Sequence, residues 1–267
     1  MTPRLIATDL DGTLLRSDGT VSARSVDVLR AVADAGLETV LVTARPPRWI
    51  DDLAHVVGAR GVALCGNGAF RYDVAERRVF GVRSIPREVV TEVVRDLREQ
   101  LPGTGFAAER HSGLAAESMF AAIHDHPEDL VTTPAIEELT DASVGKLLAR
   151  NPHLTDEEFI VAVTEIVGDR AVVAFSGAGG LAEVSAKGVT KAAALAGWCA
   201  ELGIDAGEVW AFGDMPNDLP MLLWAGRSFA VANAHPEVLA AATDHAPAND
   251  DDGVAQVLEG LLRPTGP

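Results

Sequence analysis

A doubly wound α/β domain with a mostly parallel sheet, interrupted by an inserted α+β domain, is the fold class that this 267-residue sequence predicts. Two observations predict it. Apolar strand-like runs alternate with helical periodicities at both ends of the chain, at the spacing of βαβ units. In the middle that alternation gives way to short segments of antiparallel type, and then it resumes.

The elements follow in order. Residues 5–10 are a short apolar run ending in Asp9-Leu10-Asp11-Gly12-Thr13, a strand and then a turn. Residues 22–35 carry Val26, Leu29 and Val32 on one helical face, with Gly36 as the stop. Residues 39–43 form a second buried strand, and Pro46-Pro47 opens another helix, since proline is welcome in a first turn. After Gly66-Asn67-Gly68 the pattern changes, and residues 69–72 and 78–82 predict a hairpin. Pro86 starts a helix with Val89, Val90, Val93, Val94 and Leu97 at helical spacing. Strands near 105–109 and 146–150, a helix over 155–167, and strands near 171–175 and 181–184 complete the middle section. A helix over 190–202, stopped by Gly203, leads to a strand over 209–212 and a helix opened by Pro216. Short strand and helix pairs continue to Leu262. The expected organisation is a Rossmann-like core in two parts, residues 1–82 and 185–267, with an inserted domain over 83–184.

Composition narrows the function. Hydrophobic residues make up 48% and charged residues 23%, enough apolar material for a substantial core. Against 39 Asp+Glu stand 22 Lys+Arg, a net charge of −17. A field of that sign repels nucleic acid and anionic membranes, so neither is an expected partner. It also opposes anionic substrates, which would need a local cation. Two cysteines, Cys65 and Cys199, are too few for a disulfide framework. Neither a secretory segment nor a membrane-length apolar run is visible, and the expectation is a cytoplasmic, monomeric protein.

In open α/β sheets ligands bind beyond the carboxyl ends of the strands, where polar residues collect in this chain. The first strand ends at Asp9 and Asp11, the second at Thr43, and a late strand at Gly213-Asp214-Met215-Pro216-Asn217-Asp218. Lys187 and Lys191 lie just before that late strand's helix or open it. Each has a bland reading: a turn aspartate, a strand-end cap, a solvated lysine. Two carboxylates one residue apart, with Asp214 and Asp218 arriving from another strand, favour a cation with hard oxygen ligands.

Taken together, Asp9-Leu10-Asp11-Gly12-Thr13-Leu14, Thr43 in Val42-Thr43-Ala44-Arg45-Pro46, Lys191, and Gly213-Asp214-Met215-Pro216-Asn217-Asp218 resemble the four ordered motifs of the haloacid dehalogenase-like phosphatases. The insertion between the second and third motifs, with Gly66-Asn67-Gly68-Ala69 and Asn233-Ala234, resembles the Cof-like branch with its large α/β cap. The resemblance implies a phosphatase of a small phosphorylated metabolite, a sugar phosphate first or a phosphorylated cofactor. Asp9 would be the covalent nucleophile and Asp11 the acid and base. It implies Mg2+ held by Asp9, the Asp11 backbone carbonyl and Asp214, with Asp218 in support. Thr43 and Asn217 would hold phosphate oxygens, and Lys191 would supply positive charge.

Other assignments stay open at this level. Lys187 and Lys191 both fit the family's lysine, with Lys191 preferred because it opens the helix. Ala44 replaces the glycine usual before the family's arginine, so Arg45 either binds substrate or lies on the surface. Asn67 is either polarity at the site or the Asn-Gly of a turn. His124-Asp125-His126 reads as an exposed loop, Asp250-Asp251-Asp252 as a solvated cap of the last helix, and the four tryptophans as packing residues. A phosphomutase, a phospho-accepting signalling module and a silent binding protein are the competing functions. The chain length, the inserted domain, Asp11 and the position of Asp9 on the first strand weigh against a signalling receiver.

Overall fold

The computed structural model describes residues 2–53, 56, 61–123, 130–139, 143–174 and 180–263. The chain divides into two compact units, Met1–Phe80 with Thr190–Pro267, and Gly81–Val189.

In chain order the first unit opens with β1 (Leu5–Thr8), β2 (Glu38–Val42), β3 (Val62–Cys65), β4 (Phe70–Asp73) and β5 (Arg78–Val82). The second holds β6 (Gly105–Arg110), β7 (Gly113–Glu117), β8 (Val131–Thr133), β9 (Val144–Arg150), β10 (Ala171–Ala174) and β11 (Ala182–Ala186). The first unit closes with β12 (Val209–Gly213), β13 (Arg227–Val231) and β14 (Asp244–Ala246). Its eight-stranded sheet runs β14-β13-β12-β1-β2-β3-β4-β5. All pairs from β14 to β3 are parallel, and β4 joins β3 antiparallel. The predicted doubly wound, mostly parallel architecture is what forms. β1 is central and buried along its whole length, with β2 on one side and β12 on the other. Strand order reverses there, which makes the end of β1 the switch point of the sheet.

Local signals set the helices of this unit. Ser22 accepts from the Ser25 N–H at 3.0 Å to cap Ala23–Asp34, whose Val28, Leu29 and Val32 face the core. Thr190 caps Lys191–Leu202 by accepting from the Ala193 N–H at 3.1 Å, and Gly203 ends that helix in the left-handed region. The helix expected from Pro46-Pro47 is, in its described part, two single turns, Pro47–Trp49 and Asp51–Leu53. Asp250 is exposed and Asp252 stands at the N-cap of the last helix, but the Asp252 side chain makes no capping bond there. Asp252 holds Arg16 through both carboxylate oxygens at 2.9–3.1 Å, and Asp250 accepts from the Ser17 N–H and Oγ at 2.8 Å. These contacts fasten the last helix to the loop that follows Thr13. Among the tryptophans, Trp210 is buried, whereas Trp49 is 50% exposed with the Arg48 guanidinium over its ring.

The second unit is a six-stranded sheet in the order β10-β11-β9-β6-β7-β8, antiparallel except for β7 beside β8. Helix Arg87–Gln100 buries Val90, Val93, Val94 and Leu97, and helix Asp156–Val167 buries Phe159, Val163 and Val167. Thr155 and Glu158 form a reciprocal capping box at the second of these. β7, β8 and the helix Ser118–Ile123 carry little sequence signal. Phe120, fully buried in the helix, packs with Ala107, Ala116 and Leu148, and a Cβ on Gly105 would come within 2.6 Å of the Phe120 nitrogen. Backbones this close demand alanine and glycine where strands usually carry branched residues. Met119 is half exposed, and Glu109 is buried. The His124-Asp125-His126 stretch lies outside the described residues. No helix among the described residues is long and apolar enough to cross a membrane.

Gly68 tests the packing of the first unit. Its φ is +100°, and a Cβ there would meet the Ala194 Cβ at 2.5 Å and the Thr190 carbonyl oxygen at 2.8 Å. We predict that Gly68→Ala lowers stability by about 3 kcal/mol in urea unfolding, from backbone strain and overpacking together. A loss below about 0.5 kcal/mol, the range of an ordinary surface substitution, would show that this contact yields freely.

Candidate active site

Asp9 follows β1 directly, and its N–H donates to the Phe212 carbonyl on β12 at 3.0 Å. That bond ties the residue to both strands at the switch point. Its carboxylate is buried, and the Lys191 ammonium donates to Oδ1 at 2.7 Å. The same ammonium donates to Asp218 Oδ1 at 2.7 Å. Lys191 reaches this position because it is the first residue of the helix that Thr190 caps.

Asp218 is fully buried and uses its second oxygen for the backbone. Oδ2 accepts from the Asp214 N–H at 3.1 Å and the Met215 N–H at 3.0 Å, which closes the turn after β12. Asp214, also buried, accepts at Oδ1 from Thr13 Oγ1 at 2.8 Å. Gly12 is required by this approach, with φ +78° and no room for a Cβ beside the Asp214 carboxylate. Carboxylate oxygens of Asp9, Asp214 and Asp218 lie within 4.8 Å of one another.

Three carboxylates and one ammonium leave a formal charge of −3 + 1 = −2 in a buried space. Burial pushes the Asp9 carboxyl well above the usual carboxylate range; Lys191 pulls it down, while Asp218 and Asp214 push it further up. Burial also raises Asp214, against the hydrogen bond from Thr13. Lys191 shows the opposite balance: burial would lower its pKa, yet Asp218 and Asp9 outweigh burial and raise it, so the ammonium stays charged. An all-oxygen donor set with two uncompensated negative charges fits one hard divalent cation.

Asp11 differs from Asp9 in every respect. Its side chain is 57% exposed and is held by Arg45, Nε to Oδ2 at 2.8 Å and Nη2 to Oδ1 at 2.6 Å. The hydrogen bond it donates to Asp11, against partial burial, raises the pKa of Arg45 further. Arg45 is therefore neither bare surface nor isolated. Its N–H donates to Thr43 Oγ1 at 3.0 Å, and its carbonyl accepts from the Gly66 N–H at 2.9 Å. Thr43 is fully buried, and its carbonyl accepts from the Asn67 N–H at 2.9 Å. Asn67 adopts a left-handed φ of +57° and accepts from Asn217 Nδ2 at 3.5 Å. Asn217 Oδ1 is buried without a hydrogen-bond partner among the described residues.

The first unit thus gathers Asp9, Asp214, Asp218 and Lys191 in one cluster. Linked hydrogen bonds connect Asp11, Arg45, Thr43, Asn67 and Asn217. Lys187 belongs to the second unit, where its side chain is 73% exposed and 3.8 Å from Asp169; the lysine that meets Asp9 is Lys191. Two contributors escaped the sequence reading. Thr13 orients Asp214, and its place in the first acidic run was the available signal. Asn249 donates from Nδ2 to the Leu15 carbonyl and from its N–H to Asn233 Oδ1, while Asn233 Nδ2 donates to the Gly12 carbonyl at 2.8 Å. Nothing in the sequence pattern marks Asn249.

Comparison with known proteins agrees with this geometry. The haloacid dehalogenase-like hydrolase family matches residues 6–258. The phosphoglycolate phosphatase of Methanoculleus marisnigri is 27% identical, over 90% of this chain and 88% of its own length. The pyridoxal phosphate phosphatase YbhA of Escherichia coli is 26% identical, over 98% of this chain and all of its own. Among solved structures, BT1666 of Bacteroides thetaiotaomicron, a phosphatase of the haloalkanoate (HAD) enzyme superfamily, superimposes with a TM-score of 0.83 at 25% identity, covering 97% of this chain and 95% of that one. With its acidic cluster and lysine inside the matched stretch, the chain belongs to the haloacid dehalogenase-like hydrolase family, as one of its phosphatases.

Proposed function

We propose that the protein is a Mg2+-dependent phosphatase of small phosphate monoesters, acting through a phosphorylated Asp9. The observation that carries this reading is the buried Lys191 ammonium shared between Asp9 and Asp218, beside Asp214. It fixes one oxygen of the proposed nucleophile and leaves the cluster short of two positive charges. Mg2+ held by Asp9, Asp214 and the Asp11 backbone carbonyl would neutralise charge where carboxylate and phosphate meet. Asp218, with both oxygens already engaged by Lys191 and two backbone N–H groups, supports the arrangement from behind.

In the first step an Asp9 oxygen attacks phosphorus, the bond to the leaving oxygen breaks, and Asp11 gives that oxygen a proton. In the second, water attacks the same phosphorus and passes a proton to Asp11. The bond to Asp9 breaks, and inorganic phosphate leaves. Thr43 and Asn217 would steady phosphate oxygens, a role supported by the bond from Asn217 Nδ2 to Asn67. The relatives named above act on phosphoglycolate and pyridoxal phosphate, phosphate esters of two unlike alcohols. That breadth supports a core built for the phosphoryl group, with selectivity supplied by the inserted domain over 83–184. Sugar phosphates are the leading class, followed by phosphorylated cofactors.

Phosphate release from a panel of sugar phosphates, phosphorylated cofactors and nucleotides, with and without Mg2+, tests the reading. Turnover is expected to stop with chelator and return with Mg2+. Asp9→Asn is expected to lose at least about 10³-fold in kcat while keeping the wild-type circular dichroism spectrum; residual turnover within 10-fold of wild type would sink the covalent route.

Stability separates the two supporting acids. Asp214→Asn removes one of three clustered negative charges and can still accept from Thr13, so metal-free protein is expected to melt about 2–5 °C higher and to lose its stabilisation by Mg2+. Asp218→Asn breaks the pair with Lys191 and is expected to melt at least about 5 °C lower. Equal shifts in the same direction would contradict these separate roles.

A further inference from the structure

Asp11 is the most exposed carboxylate of the site, and an exposed aspartate ordinarily samples several rotamers. Here it does not stand alone. Both of its oxygens accept from one guanidinium, at 2.6 and 2.8 Å. That guanidinium is anchored at its root, because the Arg45 N–H is tied to Thr43 Oγ1 and its carbonyl to the Gly66 N–H. A planar fork on a clamped backbone fixes the direction of a carboxylate as well as its distance. Each carboxylate oxygen has a second lone pair, and the side chain is 57% exposed, so water still reaches it. In this pose both Asp11 oxygens are engaged as acceptors. The lone pair that each oxygen keeps outside the fork is where a proton can be held. To take a proton from water, Asp11 need not move.

We propose that Arg45 is a positioning residue for the second half-reaction: it holds Asp11 as the acceptor for the proton of the water that hydrolyses phosphorylated Asp9. This rests on the reading of Asp9 as nucleophile and Asp11 as base, and it assigns Arg45 a role other than direct substrate binding.

The two half-reactions can be separated with 4-nitrophenyl phosphate, whose leaving group departs without a proton. With this substrate kcat/KM reports formation of the phosphoenzyme, and kcat reports its breakdown when that step is slow. In Arg45→Met the breakdown is expected to slow about 10- to 100-fold, a typical cost of a misplaced catalytic group. The variant should release a burst of one nitrophenolate per site and then turn over slowly. Its kcat and KM should fall together with kcat/KM within 3-fold of wild type, and acid quench of the 32P-labelled ester should trap label on the protein.

Arg45→Lys keeps the charge but not the fork and is expected to fall between Met and wild type; it carries the test if the Met variant melts early. A fall in kcat/KM without a burst would make Arg45 a substrate-binding group and overturn the proposal. Equal kinetics in wild type and both variants would overturn it too. Asp11→Asn is the control for the underlying reading. If it fails to accumulate labelled protein, the assignment of Asp11 as base fails first. If it accumulates label and the Arg45 variants do not, only the role of Arg45 is lost.

Discussion

One buried ammonium organises the site. Lys191 donates to Asp9 and to Asp218 at 2.7 Å each, and without it three carboxylates would face one another away from water. Taking away one partner of a buried ion pair is usually more damaging than replacing both, because a charge is left uncompensated. The other contacts depend on this one. Asp218 can close the turn after β12 only while its other oxygen is satisfied, and that turn sets the Asp214 backbone. In a protein of net charge −17, Lys191 thereby sets one positive charge immediately beside Asp9.

The two aspartates of the first motif show how one strand end yields two environments. Asp9 is still governed by the sheet, through its N–H on the β12 carbonyl, and points into the buried cluster. The chain then turns through Gly12 at φ +78°, and Asp11 is left half in solvent against Arg45. Burial and fixed charge suit a group that must meet phosphorus at a defined angle. Exposure suits a group that exchanges protons with water. The loop carrying both is held from outside by Asn233, Asn249, Asp250 and Asp252.

Much of this was legible in the sequence because the informative residues report on the backbone. Thr190 and Gly203 bracket their helix as capping chemistry requires, and Ser22 starts another. The alternation of strand and helix revealed the doubly wound core. Less legible were features set by distant partners. Asp252 looks like a helix cap until Arg16, 236 positions away, takes both its oxygens. β7 is rich in alanine because Phe120 and its helix press against the sheet, so it lacks the branched residues that announce a strand. Choosing between Lys187 and Lys191 needed the position of Asp9, since spacing alone permits both. The partnership of Arg45 with Asp11 spans 34 positions and leaves no local trace.

The chain leaves the first unit at Phe80 and re-enters it at Thr190, one residue before Lys191. Asp9 and Lys191 are 182 positions apart, and Thr13 and Asp214 are 201 apart. During synthesis, Asp9 therefore emerges long before the residues that compensate it, and the central strand β1 lacks β12 until about four-fifths of the chain has been made. The inserted unit, whose strands pair among themselves, can assemble in the interval. Such long-range closure is slow relative to local pairing. The cluster is consequently impossible until Asp218 has been made, and any chain ending before Lys191 carries Asp9 without the ammonium that compensates it.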